Sequence, residues 1–216
     1  MPDALEEFAA NEAYDANLRE LAQRGDVRRY RKGTILIHEG DAGATMFIVL
    51  SGRVKVFCTD ANDKEITFGI FGPGEYVGEM ALDGGARSAS VITQLPSVCS
   101  IISRTTLLAF IGQYPEFSLQ VLSKVIRRLR LATRDARNLA FIDVYGRLTR
   151  CLYELATEQA DGSQRIVERI THQEIASRVG CSREMVSRIL KDLESGGYIQ
   201  VLDRHLVLMK KLPQRW

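Results

Sequence analysis

Between Thr171 and Leu193 every local signal agrees on one arrangement. Thr171-His172-Gln173-Glu174 has the form of a capping box, with the threonine hydroxyl capping a helix start and Glu174 reaching back. The helix it opens carries Ile175, Ala176 and Val179, and Gly180 closes it, because glycine takes a positive φ without strain. Ser182 caps a second helix, Arg183 to about Glu194, with Val186, Ile189, Leu190 and Leu193 on one face. Small Ala176 lets the two helices cross closely. Two short helices joined by a tight glycine turn form a helix-turn-helix.

The face of the second helix turned away from its apolar stripe carries Arg183, Glu184, Ser187, Arg188 and Lys191. An arginine matches the O6 and N7 acceptors of guanine, and a glutamate accepts from cytosine N4. Ser182 at the helix start offers a hydroxyl and a backbone N–H to a phosphate. Thr171 and His172 open the first helix beside the same surface. These residues predict an interface for double-stranded DNA. The net charge of +2 does not announce one, but its distribution does: Met1–Asp15 has five acids and no base, whereas Arg127–Arg150 has seven arginines and two acids. Lys210, Lys211 and Arg215 end the chain in positive charge. Past Gly196-Gly197, Tyr198–Leu202 and His205–Met209 flank Asp203-Arg204, a hairpin that makes the domain a winged helix-turn-helix.

The first half reads differently. Gly33–Ile37, Met46–Leu50, Arg53–Phe57, Glu65–Ile70, Ala89–Gln94 and Val98–Ile102 are strand candidates. Ser51-Gly52 reads as a hairpin turn between two of them, and further turns fall at Gly40, Pro73 and Gly84. This spacing predicts a β-sandwich or a double-sheet jelly roll with short flanking helices. After residue 104 the period becomes helical. Glu116 to about Arg137 places Leu122, Val125, Leu129, Ala132, Ala136 and Leu139 at steps of three and four, a coiled-coil seam predicting a parallel homodimer. Tyr145–Thr157 reads as a helix and Arg165–Ile170 as a short strand. The expected class is α+β, with residues 1–114 a β-barrel, 115–140 a dimer helix and hinge, and 141–216 the winged domain.

Ile170-Thr171-His172-Gln173-Glu174-Ile175 and Val179-Gly180-Cys181-Ser182-Arg183-Glu184-Met185-Val186, followed by Arg188-Ile189-Leu190-Lys191, closely resemble the cyclic-AMP receptor protein (Crp/Fnr) family of bacterial transcription regulators. Asn138–Val144 resembles the family's hinge, so the likeness covers nearly the whole chain. It implies an N-terminal cyclic-nucleotide-binding jelly roll and a homodimer on a near-palindromic operator, with Arg183, Glu184 and Arg188 reading bases. RNA polymerase is an implied partner, touched in relatives near the loop 160–165. Gly78, Glu79, Met80 and Ala81, with Arg87, Ser88 and Ala89, look like the family's phosphate cassette. The chemistry suits it: Arg87 offers a fork for phosphate, Ser88 and nearby N–H groups add donors, and Glu79 accepts from a ribose hydroxyl. The family's base-contacting Thr-Ser pair on the dimer helix is here Ala132-Thr133, so one hydroxyl remains. The loop from Glu79 to Arg87 is also shorter than in the cyclic-AMP receptor protein. The effector expectation is therefore cyclic AMP first and cyclic di-GMP second, with ligand-independent regulation by a scaffold barrel as the alternative.

Other classes find little support. An enzyme on a jelly roll would need metal-holding histidines and carboxylates, and the barrel half has only His38. His172 and His205 suggest no heme ligand. Cys58, Cys99, Cys151 and Cys181 are widely spaced, which argues for reduced, mostly buried thiols rather than a zinc site, disulfides or a cluster. No covalent cofactor, catalytic residue or metal site is expected. Without a signal peptide or a long apolar run, the sequence reads as cytoplasmic, with no membrane partner.

Overall fold

The apolar run Met46–Leu50 is buried throughout, which requires cover on both faces of its strand. The computed structural model shows what provides it. It describes residues 3–61, 65–159, 164–167, 169–202 and 205–213, leaving aside the side chains of 81–82, 135 and 138–141. One antiparallel sheet has the order β1 (Asp26–Tyr30), β8 (Ser97–Ser103), β3 (Thr45–Ser51), β6 (Tyr76–Val77). The other has the order β2 (Ile35–Ile37), β7 (Ser90–Thr93), β4 (Val54–Thr59), β5 (Glu65–Phe71). This is the double-sheet jelly roll. Phe47 and Val49 of β3 join Val54, Val91 and Cys99 in one core, while Met46, Ile48 and Leu50 join a second. That second core is completed by helices α1 (Ala4–Ala10), α2 (Ala16–Gln23), α3 (Arg104–Gln113) and the start of α4 (Glu116–Phe141).

One sequence expectation fails here. Ser51-Gly52 is not a hairpin turn, because β3 and β4 lie in different sheets. The chain turns a corner between the sheets, and Gly52 does so at φ +87. A β-carbon there would lie 2.4 Å from the Pro96 carbonyl and 2.3 Å from Ser97 Oγ, where the β7–β8 connection crosses back. Ser97 Oγ accepts from Arg53 N–H at 3.1 Å and ties the two corners together. Strand β1 was also not anticipated. Its Asp-Val-Arg-Arg-Tyr sequence is mostly exposed and lacks an apolar run.

The chain divides into two compact units, Met1–Cys58 with Thr67–Leu129, and Thr59–Ile66 with Arg130–Trp216. Helix α4 contributes to both. In the second unit α5 (Val144–Leu155), α6 (His172–Val179) and α7 (Arg183–Ser195) pack beside a sheet ordered β11 (Ile199–Leu202), β12 (His205–Leu208), β10 (Gln164–Arg165), β9 (Thr157–Glu158). Leu148, Leu152, Ile166, Ile175, Val186 and Leu193 are the centre of its core. The strand expected over Arg165–Ile170 shortens to Gln164–Arg165, with one further backbone bond from Ile166 N–H to the Leu206 carbonyl at 2.9 Å. The helix expected to end near Arg137 continues to Phe141, so most of the expected hinge, Asn138–Val144, is helical. Helix α5 starts anew where Asp143 accepts from Gly146 N–H at 2.7 Å. The turn Asp203-Arg204, most of the loop 160–165, and Arg215 lie outside the described residues.

Candidate nucleic-acid interface and phosphate cassette

The capping box forms as read: Thr171 Oγ1 accepts from Glu174 N–H at 3.1 Å, and Glu174 Oε2 accepts from Thr171 N–H at 2.7 Å. Gly180 ends α6 in the left-handed conformation, φ 72 and ψ 45. Ser182 then caps α7, its hydroxyl accepting from Met185 N–H at 3.2 Å. Val186, Ile189, Leu190 and Leu193 are all buried, which leaves Arg183, Glu184, Arg188 and Lys191 exposed on the opposite side. Ser187 is half-buried because its hydroxyl lies 2.8 Å from His172 Nδ1, linking α6 to α7. Arg188 Nη2 rests 2.9 Å from Met185 Sδ, one turn back on its own helix.

Arg147, which the sequence reading counted only as charge, is a structural anchor of this motif. Its Nε–H donates to the Val179 carbonyl at the end of α6 at 2.9 Å, and its Nη1 donates to the Ile142 carbonyl at 2.7 Å. A cation at a helix C-terminus satisfies an orphan carbonyl and complements the dipole. Of the other arginines in the run, Arg128 is also internal, and Arg150 pairs with Glu154 at 3.3 Å. The run is therefore less a continuous basic surface than its composition implies.

In the first unit Gly78 is half-buried, and Glu79 and Met80 open a short 3-10 helix, Glu79–Asp83, whose third residue is Ala81. Arg87 is only 7% exposed. Its Nη1 donates to the carbonyls of Thr45 and Gly78, both at 2.8 Å, and its Nη2 donates to Thr45 Oγ1 at 2.9 Å. A β-carbon on Gly43 or Gly78 would approach the guanidinium to 2.8 or 2.9 Å, so both glycines let backbone close around it. Burial lowers the Arg87 pKa, with nearby Asp41 opposing. Ser88 is exposed, its hydroxyl 3.4 Å from the sulfur of exposed Met80, and Ala89 is half-buried.

Glu79 is 9% exposed and its Oε1 receives a 2.6 Å bond from Arg128 Nη1. Arg128 also donates to the Tyr76 carbonyl at 2.7 Å, and its guanidinium lies 4.6 Å over the Phe71 ring and 5.5 Å over that of Tyr76. This pair is not legible in the sequence, because its members lie 49 positions apart and share no local pattern. Burial pushes Tyr76 up to about 12, Arg128 opposing and Glu79 adding. Thr133 is exposed on the part of α4 that belongs to the second unit.

Helix α4 has two distinct faces. Phe117 and Val121 enter the first unit's core, and Lys124 and Arg128 continue that line. The seam residues Leu122, Val125, Leu129, Ala132 and Ala136 are all exposed on the single chain, Leu122 at 52%.

His38 is exposed, and His205 Nδ1 lies 3.2 Å from the Ile166 carbonyl. Among the described residues no three His, Cys, Asp or Glu side chains are placed to hold a metal ion. Burial pushes the Cys99 thiol up to about 12 and Cys151 up to about 11, so both stay protonated near neutrality. Among the described residues no helix is long and apolar enough to cross a membrane.

Comparison with known proteins agrees with both halves. The cyclic nucleotide-binding domain family matches residues 27–114, and the Crp-like helix-turn-helix domain family matches residues 146–214. The CRP-like protein Clp of Xanthomonas euvesicatoria pv. vesicatoria is 33% identical over 190 residues, covering 84% of this chain and 83% of that protein. A solved structure described as the c-di-GMP responsive global regulator CLP of Xanthomonas campestris is 31% identical, with a TM-score of 0.81 over 91% of this chain and all of that one. A CooA mutant from Carboxydothermus hydrogenoformans shares the fold, with a TM-score of 0.77 over 98% of this chain and 93% of that one at 22% identity. A double-sheet barrel matched by a cyclic nucleotide-binding domain family, followed by a Crp-like helix-turn-helix domain, shows that the chain belongs to the Crp/Fnr family of bacterial transcription regulators.

Proposed function

We propose that this chain acts in the cytoplasm as a homodimeric, sequence-specific DNA-binding regulator whose activity is set by a cyclic nucleotide. The single observation that carries the DNA reading is the bare outer face of α7. Its inner face is packed by Val186, Ile189, Leu190 and Leu193, and Arg183, Glu184, Arg188 and Lys191 stand exposed on the other side, none of them part of the core. Arg183, Glu184 and Arg188 read base edges, while Thr171, His172, Ser182, Ser187 and Lys191 contact phosphates or orient the helix. His172 and Ser187 already share a hydrogen bond, so DNA contact by either exchanges one partner for another.

The dimer rests on the exposed seam of α4, and two copies place two recognition helices on a near-palindromic operator. RNA polymerase is the further partner of such a regulator. Replacing Arg183 with Ala should weaken binding to the cognate operator by about 1–3 kcal/mol and relax preference at one base pair. Fluorescence anisotropy against a set of single-base operator variants measures both, and an unchanged preference would remove Arg183 from the reading set.

For the effector, the structure's relative in Xanthomonas campestris is described as responsive to cyclic di-GMP, which moves that nucleotide ahead of cyclic AMP. Gly78, Glu79, Met80, Ala81, Arg87, Ser88 and Ala89 are the phosphate and ribose side of this proposal, and Thr133 is the base-directed hydroxyl that the family resemblance implies. A second reading, regulation without a ligand, draws on the fact that Arg87 and Glu79 both already have partners inside the fold. Calorimetric titration of the full-length protein with cyclic AMP, cyclic GMP and cyclic di-GMP separates the two. Heat from one nucleotide that disappears in Arg87→Leu supports gating, and no heat from any of the three supports the scaffold.

A further inference from the structure

A guanidinium carries five N–H donors in a rigid plane. In Arg87 three of them are committed to internal acceptors: two on Nη1 to the carbonyls of Thr45 and Gly78, and one on Nη2 to Thr45 Oγ1. The two that are left, Nε–H and the second Nη2–H, have no acceptor among the described residues. They are adjacent and parallel along one edge of the plane, the geometry that grips two oxygens of an anion at once. A β-carbon at Gly43 would lie 2.8 Å from Nη2 and 2.9 Å from Nε, so its absence keeps that edge clear.

Thr45 supplies two of the three anchors, one from its backbone and one from its side chain. The carbonyl bond is common to any residue at this position. The hydroxyl bond is not, and among the described residues it is the one bond on Nη2, at the end of the plane next to the remaining edge. A valine has nearly the same shape but no acceptor, and would leave the plane held only by its Nη1 contacts, with the remaining edge less tightly aimed.

We propose that Thr45 is a positioning residue for the effector site: its hydroxyl aims the free Nε–Nη2 edge of Arg87 at a phosphate oxygen pair, and so sets how tightly the barrel holds a cyclic phosphodiester. The proposal deepens the gating reading given above and rests on it for the identity of the ligand. It makes a claim about the orientation of Arg87 that stands without a ligand.

Two measurements on the full-length protein test it. The first is calorimetric titration of the wild type, Thr45→Val and Thr45→Ser with cyclic di-GMP and cyclic AMP. Thr45→Val should weaken whichever nucleotide binds by at least about tenfold, because a misaimed edge forfeits one of its two charge-assisted bonds to the phosphate, while Thr45→Ser, which keeps the hydroxyl, should stay within about threefold of wild type. Operator binding by the ligand-free variants should match the wild type, and Thr45→Val should lower the unfolding midpoint, since it leaves a buried Arg87 N–H without its acceptor; a merely structural role would lower the midpoint and leave nucleotide affinity unchanged. The second measurement is NMR of the arginine side chains in the ligand-free protein. The Arg87 Nη protons should be resolved in wild type and in Thr45→Ser, and averaged by rotation in Thr45→Val.

Nucleotide affinity unchanged in Thr45→Val would overturn the positioning role and leave gating intact. If the wild type binds neither nucleotide, the gating reading fails alone, and the NMR comparison still decides whether Thr45 aims Arg87. Averaged Nη protons in the wild type would overturn the proposal outright.

Discussion

Placing glutamates at Leu122 and Ala132 together should convert the protein from dimer to monomer at micromolar concentration. It should lower operator affinity by about 10²–10⁴-fold, the factor lost when two linked half-site contacts become independent. Both positions are exposed on the outer face of α4, so neither change removes packing from the first unit's core. In a parallel pair they would set four carboxylates along a seam that is otherwise apolar. Analytical ultracentrifugation reads the oligomeric state, and anisotropy on a two-half-site operator reads the affinity. Circular dichroism should keep its helical and strand content. A variant that remained dimeric would show that α4 does not mediate pairing, and the proposed operator symmetry would lose its basis.

The second large effect lies inside the barrel. Arg128→Met leaves the Glu79 carboxylate, 6% exposed at its side chain, without its cation. Removing one partner of a buried ion pair costs about 3–5 kcal/mol, mainly because the other charge is left unsolvated. The replacement also removes the bond to the Tyr76 carbonyl and the stacking on Phe71. With a urea dependence of about 2 kcal/mol per molar, the midpoint of the first unit should fall by about 1.5 M or more. Adding Glu79→Gln to Arg128→Met should restore more than half of that loss, since an uncharged amide does not need the guanidinium. Urea unfolding followed by hydrogen exchange at the β6 amides isolates the first unit from the second. If the double variant is no more stable than the single one, the cost is in packing and not in charge.

What the sequence made legible follows from how far apart the interacting groups are. The starts and the turn of the helix-turn-helix were readable because their determinants are local: Thr171 with Glu174, Gly180 as a cap, Ser182 with Met185. The two faces of α4 were half readable. The outer seam shows as a period of three and four, while the inner line of Phe117, Val121, Lys124 and Arg128 mixes apolar and basic residues and carries no such period. The barrel was readable as a class but not as a connectivity. Ser51-Gly52 carries the same local signal whether the next strand pairs back or crosses to another sheet, and only the distant Pro96-Ser97 decides. Arg87 was legible by residue type. Its orientation was not, because the anchors come from Thr45, 42 positions away, and Gly78, nine positions away.

The pairing of β1 with β8 also has a consequence in time. Asp26 sits opposite Ile101, so the first strand of the barrel waits for about 75 further residues before its partner exists. At synthesis rates of about 5–20 residues per second that is roughly 4–15 s during which an edge of Val27 and Tyr30 lacks its neighbour. Helices α6 and α7 need only a few residues between them and can dock as soon as both emerge. The strand pairing that closes the barrel is thus long-range and is expected to form slowly, whereas the contact of α6 with α7 is local and is expected to form fast. Substitutions that weaken β8 should show themselves as poor yield of folded protein before they show as poor regulation, since the exposed strand is a template for wrong pairing while it waits.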